Sequence, residues 1–69
     1  MARTTWTDIE AQRRALPRPL SRAELARRAG LSESTIAKGI RDNRVLQKGA
    51  RDQVLLVLEA ARIEAEGGL

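Results

Sequence analysis

The chain has 69 residues, with no cysteine and no histidine, which excludes a disulfide framework and a thiolate metal site and removes the commonest general base. A sequence this short buries only about 60% of its unfolded surface, so a single small domain over residues 1–69 is expected, marginally stable unless copies associate. The formal charge of +4 is unevenly placed: residues 1–51 hold twelve Lys or Arg against five Asp or Glu, and residues 52–69 hold one against four.

Met1 to Thr5 show no periodicity, and residues 1–6 are expected to form a flexible arm. Thr7 and Glu10 have the spacing of a capping box with Trp6 in the preceding staple position, which predicts a helix starting near Asp8. Ile9 and Leu16 would face inward, Arg13 and Arg14 outward. Pro17 ends this helix, because the residue before a proline is driven from the helical region. Trp6, the only aromatic residue, reads most simply as core or staple.

Ser21 and Glu24 repeat the capping-box spacing, with Leu20 and Leu25 as the staple, and a second helix is expected over about Arg22 to Ala29. Gly30 follows as a helix-ending residue, where glycine alone takes a left-handed conformation cheaply. Ser32 caps a third helix over about Glu33 to Arg41, with Leu31 and Ile36 as its staple and Ile36 and Ile40 inward. Two short helices joined by a tight glycine turn, at about 21–41, make a helix-turn-helix. Asp42 to Lys48 reads as a loop whose Val45 and Leu46 are expected to tuck against the core. The last helix, about residues 50–66, carries two apolar stripes. Val54, Val57, Leu58, Ala61 and Ala65 form one, and Leu56, Ala60 and Ile63 lie nearly opposite. A monomer's surface helix needs one stripe, so the second is expected to be a dimer interface. No run approaches the roughly 18 apolar residues of a membrane span.

LARRAGLSESTI (residues 25–36) resembles the helix-turn-helix of the lambda-repressor-like (Cro and repressor, or XRE) transcription regulators, through Leu25, Ala26, Gly30, Leu31 and Ile36. The chain departs from that pattern where the family usually carries a large apolar residue three after the position of Ile36: here stands Gly39, with Ile40 one later. The resemblance implies an all-α, compact domain of four helices, five at most. It also implies a recognition helix in the major groove, where each base pair shows a distinct set of donors, acceptors and methyls. The outward candidates for base contact are Glu33, Ser34, Thr35, Ala37, Lys38 and Arg41. Arg22, Ser32, Asn43, Arg44, Lys48 and Arg51 flank helix ends and are candidates for phosphate contact.

The functional expectation is a sequence-specific transcription regulator, a dimeric repressor reading an inverted repeat of double-stranded DNA, in the cytoplasm on the nucleoid. No cofactor, metal, membrane or small-molecule ligand is expected. An enzyme is not expected either, because no glycine-rich phosphate loop or paired carboxylates beyond the caps occur. The competing expectation is a small helical protein-interaction module or an antitoxin-type protein whose partner is another protein.

Overall fold

The computed structural model describes residues 3–67. Four helices follow one another: α1 (Trp6–Ala15), α2 (Arg22–Ala29), α3 (Glu33–Asp42) and α4 (Lys48–Gly67). No strand occurs among the described residues, and none of their helices is long and apolar enough to cross a membrane. Among the described residues the largest fully buried side chains come one from each helix: Ile9, Leu25, Ile36 and Val54. Their contact is what makes the helices a single unit, since none of these segments is long enough to be stable alone except α4.

α1 begins two residues earlier than the sequence suggests. Thr5, not Thr7, is the N-cap: its hydroxyl accepts from the Asp8 amide at 3.3 Å and the Asp8 carboxylate accepts from the Thr5 amide at 3.0 Å. Both threonines have an acid three residues on, so local spacing could not choose between them. The choice is tertiary: the Trp6 amide donates to the Arg44 carbonyl at 2.9 Å and the Leu46 amide to the Thr4 carbonyl at 2.9 Å, pinning residues 4–6 beside residues 44–46. The expected arm of residues 1–6 is therefore fixed from Thr4 onward, and its first two residues lie outside the described part of the chain. Pro17 does end α1, with Leu16 extended at ψ 144°.

The turn chemistry around α2 and α3 follows expectation except at Glu24. Ser21 caps α2 by accepting from the Glu24 amide at 3.1 Å. Glu24 does not complete the box, because its carboxylate turns to Arg27 and Arg28 instead. Gly30 is left-handed at φ 72°, and the Leu31 amide reaches back to the Ala26 carbonyl at 2.8 Å, closing a Schellman turn. α3 ends the same way. Asn43 is left-handed at φ 48° and the Arg44 amide donates to the Gly39 carbonyl at 2.9 Å.

The loop ahead of α4 gives a correction. Leu46 is buried, but Val45 is 47% exposed. The extended backbone at 44–46 alternates its side chains, so only one of two neighbours can point inward. α4 itself starts at Lys48 rather than Ala50. Its first stripe is the packed one: Val54, Leu58 and Ala61 are buried, with Val57 and Ala65 half-buried. α4 packs on α1 and α2, and α3 packs on α1 and α2. α3 is thus held from behind and left open on its outer side.

Candidate nucleic-acid interface

α3 separates its side chains cleanly. Ile36 and Gly39 are buried and Ile40 is half-buried, whereas Glu33, Ser34, Thr35, Ala37, Lys38 and Arg41 are all exposed. Every sequence-derived base-contact candidate is therefore exposed on α3. Ser32 and Thr35 are partly engaged with each other, since the Ser32 Oγ accepts from the Thr35 amide at 3.1 Å and lies 2.8 Å from the Thr35 Oγ1. Ser32 acts as an N-cap, which leaves less of its hydroxyl for a phosphate. Glu33 is in the first turn of α3, where its charge favours the helix dipole.

The residues proposed for phosphates fall into two groups. Asn43, Arg44 and Lys48 are exposed between the end of α3 and the start of α4, and Arg51 one turn into α4 is half-buried. Asp42 sits among them, 3.2 Å from the Arg41 Nε and 3.6 Å from the Arg44 Nε. The hydrogen bond from Arg41 holds the Asp42 carboxyl below its ordinary range. Lys48 and Arg51 lie 3.8 and 3.7 Å from Asp52, distances that solvent screens readily. Lys38 makes no ion pair among the described residues, and its charge adds to those of Arg41 and Arg44 in lowering the Asp42 carboxyl.

Arg22 belongs to the other group. Its Nη2 donates to the Glu10 Oε2 at 3.0 Å, in a cluster that also draws in Arg13 and Arg14. Glu10 is the only buried charged residue among those described. The hydrogen bond from Arg13, which outweighs the desolvation opposing it, holds the Glu10 pKa down at about 2. Arg13 is not outward as expected: its side chain is only 14% exposed, its Nη1 donates to the Leu20 carbonyl at 2.7 Å, and Glu10 raises its pKa. This cluster ties α1 to the start of α2. The capping spacing of Thr7 and Glu10 masks it in the sequence, where the spacing of Glu10, Arg13 and Arg14 at i, i+3 and i+4 is its only local signal. On α2 itself, Arg27 and Arg28 grip Glu24, whose pKa is likewise held down at about 2 by those hydrogen bonds, Arg27 first.

A shallow groove runs between α3 and the 44–47 segment. It is lined by Thr35, Lys38 and Gly39 of α3, by Arg44 and Val45, and by Trp6. The second stripe of α4 is bare: Leu56 is 67% and Ile63 57% exposed, and Ala60 between them is exposed as well. Beside it Arg62 bridges Glu59 at 2.6 Å and Glu66 at 3.5 Å. No family model matches the chain, and neither a curated protein nor a solved structure matches it.

Proposed function

We propose that this chain is a sequence-specific binder of double-stranded DNA, a regulator of transcription of the lambda-repressor-like helix-turn-helix kind, acting as a homodimeric repressor in the cytoplasm on the nucleoid. One observation carries the reading: α3 presents Glu33, Ser34, Thr35, Ala37, Lys38 and Arg41 to solvent from a helix that α1 and α2 support from behind. A rod of this width fits the major groove, and these side chains supply donors, acceptors and a methyl for base edges. Lys38 and Arg41 suit guanine O6 and N7; Ser34 and Thr35 suit several bases.

Charge supports the same reading. The excess of Lys and Arg lies within residues 1–51, and Arg44 and Lys48 stand beside α3 with their charges exposed. Contacts from these residues to phosphates would set the register of the helix without reading sequence. One module buries on the order of 600–1,000 Å², a small area for tight specific binding. Pairing of two copies through Leu56, Ala60 and Ile63 would supply a second recognition helix, and the site would then be an inverted repeat with half-sites about 34 Å apart.

Selection of duplexes from a random-sequence pool tests this. The expected result is an enriched inverted repeat whose affinity falls with salt on a log–log slope near −0.9 per phosphate contacted. A pool recovered unenriched would sink the proposal. A second reading has one observation in its favour: the bare Leu56 and Ile63 would equally serve a different protein, as in an antitoxin. That reading requires the purified chain to remain a monomer.

A further inference from the structure

We infer that Val45 is a specificity-determining residue that reads the C5-methyl of a thymine beside the bases met by α3; this rests on the DNA-binding proposal above. A single exposed aliphatic side chain on a protein surface ordinarily needs no explanation. Val45 differs in how it is held and in what it stands next to. Its backbone is an isolated antiparallel bridge with Thr5, fixed on one side by the Trp6 amide on the Arg44 carbonyl and on the other by the Leu46 amide on the Thr4 carbonyl, both at 2.9 Å. The alternation of that extended segment buries Leu46 and turns Val45 out. The branched side chain is stiff at χ1, so its two methyls are presented with little freedom left to lose on contact.

The groove supplies the second half of the argument. Val45 shares it with Thr35 and Lys38 of α3 and with Arg44. A nucleotide whose base edge meets Thr35 or Lys38 and whose phosphate meets Arg44 would pass directly under Val45. Within the major groove only thymine offers an apolar group, the C5-methyl, and aliphatic side chains are its natural partners. Lys38 and Arg44 draw any strand into this groove by charge, whereas Val45 contributes only where a methyl is present. That makes it a discriminator for thymine, beside the hydrogen-bonding discrimination that Lys38 and Thr35 can supply.

The test uses the duplex recovered by selection from a random pool, with each thymine of the half-site replaced in turn by deoxyuridine, which deletes one methyl and nothing else. Wild type is expected to lose about fourfold in affinity at one thymine per half-site, the equivalent of one buried methyl. Val45→Ala is expected to bind the parent duplex more weakly by a similar factor and to be indifferent to deoxyuridine at that position. Val45→Thr, which retains the shape and one methyl, is expected to fall between them, and far-ultraviolet circular dichroism checks that both variants fold. If no thymine matters to wild type, or if the sensitive one is equally sensitive in Val45→Ala, this inference is overturned while the DNA reading stands. If no duplex is enriched at all, the DNA reading fails and takes this one with it.

Discussion

The indole of Trp6 lies against Gly39, so close that a Cβ on residue 39 would overlap the ring at Cγ, Cδ1 and Nε1. A glycine in mid-helix ordinarily weakens it by about 1 kcal/mol relative to alanine. Here the missing side chain is the condition for packing α1 across α3, and Trp6 fills the place a large apolar residue on α3 would otherwise take. Gly39→Ala is therefore expected to destabilise the fold despite its better helix propensity. Overpacking of roughly 1–3 kcal/mol outweighs that gain. In a domain this size each kcal/mol lowers Tm by about 4–8 °C. Adding Trp6→Leu to Gly39→Ala is expected to cost less than the two single changes together. A thermal melt in which Gly39→Ala matches or exceeds wild type would contradict this contact.

Glu10 gives the molecule a defined acid limb. Its pKa in the fold is about 2 against an ordinary 4.5, so its contribution is fully present above about pH 4.5 and is lost as pH falls toward 2. For a side chain only 11% exposed, the shift corresponds to at most about 3 kcal/mol. Glu10→Gln is expected to be less stable than wild type at pH 7 by an amount of that order and to converge with it near pH 2. Denaturant melts across that range measure the difference. Glu24 titrates in the same window, but its partners are surface side chains, so high salt is expected to flatten its share while leaving that of Glu10.

Much of this was legible in the sequence because it depends on neighbours in the chain. Ser21, Gly30 and Ser32 mark the bounds of α2 and the start of α3 through hydrogen bonds that reach no further than five residues. Pro17 acts on Leu16 alone. Several departures involve residues distant in sequence. Thr5 became the cap of α1 in place of Thr7 because residues 44–46 hold Thr4 and Trp6. Glu10 left its expected cap for Arg13 and Arg14 close by and for Arg22, twelve residues away. Gly39 looked like a gap in α3 until Trp6 supplied the side chain that fills it. The exposed row of α3 needed only helical periodicity; the placement of Val45 beside it needed the 4–6 and 44–46 pairing.

Base-reading and phosphate-holding residues leave different signatures in binding data. Lys38→Ala is expected to relax preference at one base position and to cost roughly 1–3 kcal/mol. Arg44→Ala is expected to weaken all duplexes alike and to reduce the salt slope by about one. Arg22→Ala differs from both, since that guanidinium is committed to Glu10: its main effect is expected on the melting temperature. Selection profiles and salt titrations of the three variants distinguish these outcomes, and an unchanged profile for Lys38→Ala would move the register of α3 on DNA.

The outer stripe of α4 permits a separation of assembly from folding. Leu56 touches little of its own chain at 67% exposure, so a charge there is not expected to disturb the core that Val54, Leu58 and Ala61 form on the other face. Two copies meeting on this stripe would desolvate Leu56 and Ile63, and an uncompensated carboxylate between them would be costly. Leu56→Glu is accordingly expected to sediment at the 7.6 kDa of one chain where wild type sediments at twice that, with an unchanged helical circular dichroism spectrum. Affinity for the inverted repeat is expected to fall with it, while a single half-site is bound equally by both proteins. Equal sedimentation of the two would mean that the stripe serves some other contact, and equal affinity for the repeat would mean that the copies do not cooperate on DNA through α4.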